Sequence, residues 1–460
     1  MLFNSYHFIL AFLPITAAVY FLLCRGAPLV WSQLWLMLAS LLFYSVWNPV
    51  YLPLMLGSIG FNFAVSRGIH ARLHQPPAKA LLLLGIAGNL LLLGYFKYAD
   101  FFIGNLNAAL GSHIPLLHIV LPLGISFFTF TQIAFLVDTW QQRASRPSIV
   151  NYALFVSYFP HLLAGPILHH REMMPQFEDA RNHRLDSENL ARGAFLFAVG
   201  LAKKVILADG FAEIADTGFQ QPGKWAFLDA WIVALSYTLQ LYFDFSGYTD
   251  MAIGISLIFN IRLPFNFDSP YRATSIQEFW RRWHITLSRF LRAYIYVPLG
   301  GNRASRVATA RNVMVTFLLG GLWHGAGWTF VIWGVLHGVA MVIQQAWRKF
   351  AVPLPVWLAW LLTFTFVNVA WVFFRAASVA DAWTLLEGMA GSRGMGTLSA
   401  SPLEIATLLL GLWLVVSGAN SNSIAQARPL TARNMVFAAV LLAAGVLSLG
   451  QTSTFIYFNF

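Results

Sequence analysis

Long apolar runs alternate along the chain with short polar segments that hold most of its charge. Hydrophobic residues make up 58% of the 460 positions, whereas charged residues make up only 10%. Because about 20 apolar residues cross a bilayer as a helix, these runs predict an all-α polytopic membrane protein. By that length rule the chain holds roughly eleven or twelve membrane segments, including re-entrant or half-spanning helices. We expect a single membrane-embedded domain over residues 1–460, with its core motifs between residues 240 and 340.

The first four apolar runs are long enough for spanning helices. We predict these helices over residues 1–23, twice within 26–66 with a turn at Asn48-Pro49, and over 80–96. The first run has no basic region or cleavage site before it ends, so we expect it to remain as a helix. Arg25 and the basic loop Arg67–Lys79 then fall on the same side, which the positive-inside rule makes cytoplasmic. The N-terminus is therefore predicted to lie outside.

Simple alternation of spanning helices fails in the next part of the chain. Basic segments flank the apolar run Asn151–Ile167 on both sides, and each of them would prefer the cytoplasm. Either this run enters and leaves the membrane on the same face, or one basic segment lies outside. We favour the re-entrant alternative, because non-spanning segments are tolerated where protein surrounds them. Further helices are predicted over residues 193–207, 230–243, 327–347, 355–374, 404–416 and 436–449.

The chain carries a net charge of +11, and its basic residues fall between the apolar runs. That placement fits cytoplasmic loops and anionic phosphates, so nucleic-acid binding is not expected. The single cysteine, Cys24, excludes an intramolecular disulfide and a thiolate metal cluster, and no metal site is predicted. Asp244, Asp250 and Asp268 would be costly at membrane depth, so we expect each to be paired or to face a polar cavity.

The stretch from Phe279 to His337 holds most of the residues that could do chemistry. Eight arginines and one acid lie within Arg272–Arg311, and no charged residue follows over Asn312–Trp347. The apolar spacing of FWRRWHITLSRFLR predicts an amphipathic helix that carries His284 at the cytoplasmic interface. His284 is then either part of a reactive site or a histidine on a helix that serves only as an interfacial anchor.

His324 lies deeper in the uncharged run and has glycines on both sides. The dozen residues before it would carry it roughly 18 Å inward as a helix, at 1.5 Å per residue. An ionisable side chain at that depth indicates function, although the neighbouring glycines also fit the spacing at which membrane helices pack. We interpret His324 as functional and His337, which lies between Gly334 and Gly338, as a packing residue.

A buried histidine of this kind would be neutral, because desolvation disfavours the imidazolium. It could take a proton from a hydroxyl group while the hydroxyl oxygen attacks an acyl thioester. Guanidinium groups bind phosphate bidentately, so neighbouring arginines could hold a donor such as coenzyme A. The candidate arginines are Arg281, Arg282, Arg289 and Arg292. The alternative is that these arginines only orient the protein in the membrane. Further candidates for the pocket are Trp283, Trp323, Asn302 and Asp244.

Two motifs carry a resemblance to a known family. They are RRWHITLSRFLRAYIYVPLGGNR (281–303) and TFLLGGLWHGAGWTFVIWGVLHG (316–338), with support from YFPHLLAGPI (158–167), QLYFDFSGYTDMAIG (240–254) and the terminal FIYFNF. Together they resemble the membrane-bound O-acyltransferase family, and in particular its bacterial branch that acetylates polysaccharides. By this resemblance His324 corresponds to the catalytic histidine of the family and His284 to its second characteristic histidine.

The resemblance implies a ring of helices around a thinned centre, with a cytoplasmic funnel for the acyl donor and an outer opening for the acceptor. It implies a multi-pass protein of the bacterial inner membrane, surrounded by lipid, with no permanently bound cofactor. Acetyl-CoA or another acyl thioester would be the donor substrate, and a separate extracytoplasmic protein would complete the transfer. Alginate is the expected polymer, with cellulose, peptidoglycan or D-alanyl transfer toward teichoic acid as alternatives.

A transporter or channel for a polysaccharide or an anion is the alternative from a different class. Buried histidines, buried aspartates and glycine-broken helices would occur there too. Many transporters have paired halves, whereas this chain has one histidine-glycine element, in its third quarter. The sequence therefore favours an enzyme.

Overall fold

Helices make up all the regular structure of the described residues, which are 1–303, 305–350, 352–417, 420–427, 431–451 and 455–456 of a computed structural model. In the first part of the chain they are α1 (Leu13–Gly26), α2 (Leu29–Ser45), α3 (Leu52–Ala71), α4 (Pro76–Leu93), α5 (Ala99–Leu110), α6 (Ile125–Trp140), α7 (Ile149–Ser157), α8 (Phe159–Leu162), α9 (His170–Glu178) and α10 (Ser187–Ala202). Then follow α11 (Asp209–Gln220), α12 (Phe227–Ile258), α13 (Ile276–Arg282), α14 (Ile285–Leu291), α15 (Arg306–His324), α16 (Trp328–Phe350), α17 (Val356–Arg375), α18 (Val379–Met389), α19 (Pro402–Ser417), α20 (Ser421–Ala427) and α21 (Ala432–Leu447).

Several of these helices have the length and composition of membrane spans. Among the described residues five helices qualify, namely His7–Gly26, Pro49–Ala71, Pro76–Leu110, Trp328–Phe350 and Val356–Arg375. Shorter apolar helices occupy Leu29–Ser45, Ile125–Trp140, Pro402–Ser417 and Ala432–Leu447. The all-helical membrane protein that the apolar runs predict is therefore confirmed.

The N-terminal helices follow the sequence pattern closely. The predicted turn between the second and third helices lies at Asn48, whose side-chain oxygen accepts a hydrogen bond from the Val50 amide at 3.1 Å. Pro49–Tyr51 then form one turn of 3₁₀ helix that leads into α3. An asparagine cap followed by a proline at the first helical position is a common way to start a helix.

The fourth helix is longer than predicted. The sequence places its end near Lys97, because a lysine and an aspartate interrupt the apolar run there. In the structure α4 continues through the π-helical turn Gly94–Tyr98 into α5, so that one helix extends over Pro76–Leu110. The predicted end is therefore wrong. The helix continues past these charges, and the Asp100 carboxylate accepts a hydrogen bond from the Leu117 amide at 2.6 Å.

The helix predicted over 230–243 is also longer, because α12 continues to Ile258. Its continuation includes Asp244 and Asp250, which lie beyond the predicted end of the helix. Both carboxylates lie within ion-pair distance of a lysine, with Nζ–O distances of 2.9 Å from Lys204 to Asp244 and 2.7 Å from Lys203 to Asp250. Pairing offsets the cost of burying each charge, so the helix need not end at either aspartate. The expected pairing of these aspartates is confirmed.

The run predicted to be re-entrant forms two short helices, α7 and α8. The nine residues of α7 are about 14 Å long at 1.5 Å per residue, roughly half the hydrocarbon thickness. Most residues of the two helices are buried, and the Phe159 amide donates to the Ser40 hydroxyl at 3.1 Å. This length fits a half-spanning element, and re-entry from one face stays a prediction.

The described chain packs into two compact units. The first includes Met1–Phe197 and Met251–Pro264, and its core contains Phe8, Phe43 and Phe159, whose ring centroids lie 5.5 to 6.2 Å apart. The second includes Ala198–Asp250 and most of the chain after Phe265. All residues that the sequence singles out for chemistry belong to the second unit. That the whole chain acts as one functional domain stays a prediction.

Candidate active site

His284 lies at a break between two short helices. The sequence predicts one amphipathic helix here, but α13 ends at Arg282 and α14 begins at Ile285. His284 adopts the left-handed conformation with φ +43°, which is uncommon for a residue other than glycine. The prediction of one continuous helix is therefore wrong. Strained conformations of this kind persist where surrounding contacts hold them, and they are frequent at functional sites.

Asn266 supplies the contacts that hold His284. Its side-chain oxygen lies 3.1 Å from His284 Nδ1, 3.2 Å from the Thr286 amide nitrogen and 2.8 Å from the Thr286 hydroxyl. A backbone amide can only donate, so the Asn266 atom at this point is the acceptor oxygen. His284 Nδ1 must therefore carry a proton and donate it to Asn266. The backbone amide of Ile285 also donates to the Asn266 carbonyl at 3.0 Å.

This arrangement fixes the protonation state of His284. The side chain is fully buried, and burial lowers the pKa of His284 to about 3. The ring is then neutral at physiological pH, and because Nδ1 carries the proton, Nε2 carries a lone pair. Nε2 is buried and has no hydrogen-bond partner among the described residues. His284 therefore presents a base or hydrogen-bond acceptor to its surroundings, which an interfacial anchor alone would not require.

His324 is the last residue of α15, as expected from the helix predicted before it. Glycines bring α15 and α16 close together just before this point. A Cβ on Gly321 would lie 2.4 Å from the Phe330 carbonyl oxygen, and a Cβ on Gly334 would lie 2.5 Å from the Phe317 carbonyl oxygen. The close helix packing that the glycine spacing allows is therefore present. It holds His324 at the point where the chain leaves α15 and turns into α16.

The two histidines belong to one buried aromatic cluster. Their ring centroids are 6.3 Å apart, and both side chains have at most 4% of their surface exposed. The His324 ring also contacts Trp323, Trp333 and Phe374, at centroid distances of 5.0, 5.1 and 5.2 Å. The structure thus brings together both histidines that the sequence singles out, in surroundings that exclude bulk water.

His337 belongs to the same cluster, although the sequence assigns it only a packing role. Its ring lies 4.8 Å from the Trp333 ring, and the Trp280 indole N–H donates to His337 Nδ1 at 3.2 Å. The predicted packing is present, since a Cβ on Gly338 would lie 2.9 Å from the Met314 sulfur of α15. Trp280 and His337 are 57 positions apart, and the sequence gives no sign of their hydrogen bond.

The four candidate arginines do not lie together. Arg281 and Arg282 line a polar pocket of about 550 Å³ beside α13, whose other lining residues are Asp268, Ser275, Gln277, Glu278, Gln344 and Arg348. Arg282 forms ion pairs with Glu278 at 3.0 Å and with Asp268 at 3.4 Å. Arg289 and Arg292 are exposed and are not among the residues lining this pocket. The pocket adds Arg348, which the sequence does not single out.

The other pocket candidates are divided between the interior and the surface. Trp283 and Trp323 are buried, with Trp283 packed 5.0 Å from Trp371 between ring centroids. Asn302 is exposed in a turn. Asp244 is buried in an ion-pair network, in which Lys204 Nζ lies 2.9 Å from Asp244 and 2.7 Å from Asp209. Its partners give Asp244 a structural role, and any role in the pocket stays a prediction.

Comparison with known proteins agrees with the resemblance. The model of the membrane-bound O-acyltransferase family matches residues 3–383. A peptidoglycan O-acetyltransferase of Helicobacter pylori is 46% identical over an alignment of 515 positions, gaps included, which covers 100% of this chain and 98% of the relative.

Other relatives carry different substrate names. A probable alginate O-acetylase of Azotobacter vinelandii is 43% identical over 89% of this chain and 83% of its own length. A teichoic acid D-alanyltransferase of Streptococcus thermophilus is 27% identical over 49% of this chain and 57% of its own. The family match covers most of the chain and includes both histidine motifs. The chain belongs to the membrane-bound O-acyltransferase family and is an acyltransferase enzyme.

Proposed function

We propose that this enzyme transfers an acetyl group from a cytoplasmic thioester, such as acetyl-CoA, to a hydroxyl acceptor and so moves it across the membrane for O-acetylation of an extracytoplasmic polysaccharide. The observation that carries the proposal is the pair of buried histidines with ring centroids 6.3 Å apart in a tryptophan-rich cluster. One of them, His284, has a fixed tautomer and an unengaged nitrogen lone pair. A neutral imidazole in a water-excluding site suits proton transfer from a hydroxyl group.

In the proposed reaction His324 acts as the general base. Its imidazole takes the proton of the acceptor hydroxyl while the hydroxyl oxygen bonds to the thioester carbonyl carbon. The carbon–sulfur bond then breaks, the proton passes from His324 to the departing sulfur, and an ester and a thiol result. His284 accepts a hydrogen bond at Nε2 and orients the acceptor or the thiol. Neutral His284 suits this role because its Nε2 already carries a lone pair near pH 7 and can accept without first losing a proton.

The donor is proposed to approach from the polar pocket beside α13. Arg281 and Arg348 offer guanidinium groups for phosphate, while Arg282 is largely engaged by Glu278 and Asp268. The opposite side of α13 carries Trp280, which contacts the histidine cluster. A donor whose phosphates are separated from its thioester by a long arm would suit this arrangement.

Peptidoglycan is the proposed acceptor that we rank first. The alignment with the relative named for peptidoglycan covers 100% of this chain and 98% of that relative, whereas the alignment with the relative named for alginate covers 89% of this chain. Alginate, the polymer expected from the sequence motifs, is the second candidate. We further propose a bacterial inner-membrane location with roughly eleven or twelve membrane segments by the length rule, a central funnel and an outside N-terminus. A separate extracytoplasmic protein would complete the transfer.

Substitution of His324 tests the proposed chemistry. Glutamine keeps polarity and hydrogen bonding but cannot take a proton, so His324→Gln should lower acetyl transfer by about 10²–10⁴-fold. The measurement is transfer from radiolabelled acetyl-CoA to peptidoglycan and alginate fragments by the purified protein, with the extracytoplasmic fraction added. Near-normal transfer by a folded His324→Gln protein would show that His324 is not the base. Transfer to alginate fragments alone would reverse the ranking of the polymers.

A further inference from the structure

The hydrogen bond from Trp280 fixes the tautomer of His337. An indole N–H can only donate, so His337 Nδ1 accepts and carries no proton. The proton of the neutral ring must then be on Nε2. This nitrogen is buried, the residue has none of its surface exposed, and Nε2 has no hydrogen-bond partner among the described residues. His337 is therefore a donor that the surrounding protein leaves unused, the opposite of His284, whose unused nitrogen is an acceptor.

Trp333 presents a second unused donor in the same cluster. Its indole nitrogen is buried and likewise lacks a partner within the described chain. The Trp333 ring contacts both the proposed base and the tautomer-fixed histidine, at centroid distances of 5.1 Å to His324 and 4.8 Å to His337. Some indoles of the second unit do find acceptors: Trp360 donates to the Tyr271 carbonyl at 2.9 Å and Trp231 to the Met389 carbonyl at 3.0 Å. The buried Trp371 indole resembles that of Trp333 in lacking a partner within the described chain.

An unsatisfied buried donor is expensive. Burying an N–H group without an acceptor costs roughly 1–3 kcal/mol, and native proteins contain few such groups. Two of them in the aromatic cluster that contains the proposed base are hard to explain by packing, because phenylalanine or leucine would fill the space without that cost. Donors that wait for charge to develop on a substrate are the arrangement that stabilises a tetrahedral intermediate.

We propose that His337 Nε2–H and Trp333 Nε1–H donate hydrogen bonds to the carbonyl oxygen of the acyl group during transfer. This inference rests on the proposed acyl transfer and assigns the residues that stabilise its intermediate. When the acceptor oxygen bonds to the carbonyl carbon, the carbonyl π electrons move to oxygen and create an oxyanion. The two N–H groups stabilise this oxyanion until the carbonyl re-forms and the carbon–sulfur bond breaks. His324 carries the acceptor proton to the sulfur.

Trp333→Phe is the most direct test, because it removes the N–H and keeps an aromatic ring. Loss of one oxyanion donor typically lowers kcat by about 10²–10³-fold, and we expect that loss with little change in KM for acetyl-CoA. The assay is acetyl transfer by the purified full chain, with thermal unfolding measured in parallel. Trp360→Phe is the matched control. It removes an indole N–H that already bonds the Tyr271 carbonyl, so it should lower stability and leave kcat close to that of the wild type.

Substitutions at His337 keep the test decisive if Trp333→Phe does not fold. Glutamine can accept from Trp280 and still donate an N–H, whereas leucine can do neither. We expect His337→Gln to retain at least about tenfold more kcat than His337→Leu, per folded molecule. Equal kcat in these two variants, or a Trp333→Phe protein with wild-type kcat, would overturn the proposal. Absence of transfer by the wild-type protein would instead refute the proposed function itself.

Discussion

Asn266→Ala should separate the orientation of His284 from the general stability of the protein. The substitution removes the acceptor of three buried donors, which are His284 Nδ1, the Thr286 amide and the Thr286 hydroxyl. A buried donor left without an acceptor costs roughly 1–3 kcal/mol, so loss of the acceptor of His284 Nδ1 alone should lower the free energy of unfolding by about that amount or more. The imidazole would also lose the contact that keeps its proton on Nδ1.

The catalytic effect of Asn266→Ala can be estimated separately. A neutral hydrogen bond contributes roughly 1–1.5 kcal/mol, which corresponds to about a tenfold preference for the oriented tautomer. We therefore expect kcat per folded molecule to fall about tenfold or more. The measurements are acetyl transfer from acetyl-CoA by the purified protein, normalised to its folded fraction, and thermal unfolding in the same detergent.

Asn89→Ala is the matched control for Asn266→Ala. Asn89 is also a buried amide, and it exchanges hydrogen bonds of 3.2 and 2.6 Å with Asn62 in the first unit. Its loss should lower stability by a comparable amount without a matching loss of kcat per folded molecule. If the two alanine variants lose kcat equally, or if Asn266→Ala keeps wild-type kcat, Asn266 has no role in positioning His284.

Two further predictions concern the donor pocket and the helix crossing. Arg281→Ala and Arg348→Ala should each raise KM for acetyl-CoA roughly tenfold with a smaller change in kcat, because each loses a charged hydrogen bond to the donor. The control is Arg181→Ala, an exposed arginine outside the pocket, which should leave KM unchanged. Unchanged KM in both pocket variants would show that the donor does not bind in this pocket. Gly334→Ala should destabilise the protein by about 1–3 kcal/mol, because its Cβ would meet the Phe317 carbonyl oxygen at 2.5 Å. Gly57→Ala on α3, where nothing lies within 4 Å of the added Cβ, should not lower the unfolding temperature, and equal effects would contradict the close crossing.

The helical class and most helix positions could be predicted from the sequence, because these depend on local apolar runs. The sequence misplaced helix ends wherever a charge in the run has a distant partner. Asp244 and Asp250 lie beyond the predicted end of the helix, yet Lys203 pairs with Asp250 from 47 positions earlier in the chain and Lys204 pairs with Asp244 from a similar separation. Such pairings depend on the tertiary fold, so an apolar pattern cannot reveal them.

The same limit applies within the site. The periodicity around His284 predicts a continuous helix, because a local pattern contains no information about Asn266. That residue lies 18 positions earlier and hydrogen-bonds His284 at the break between α13 and α14. The sequence assigns His337 to packing, because it shows the glycine spacing around His337 but not the hydrogen bond that the Trp280 indole donates to it. The residues that orient His284 and His337 could therefore not be predicted from the pattern. His284 and His324 stand out in their motifs, and their catalytic roles stay predictions.

The left-handed backbone of His284 changes what alanine scanning would report at this position. Asparagine and glycine tolerate φ near +43°, whereas alanine pays a conformational penalty of roughly 1 kcal/mol or more. An alanine variant would therefore combine the loss of the imidazole with distortion of the link between α13 and α14. Comparison of His284→Asn with His284→Gly and His284→Ala separates the two contributions. In a saturation library, tolerance at this position should follow backbone preference as well as side-chain chemistry.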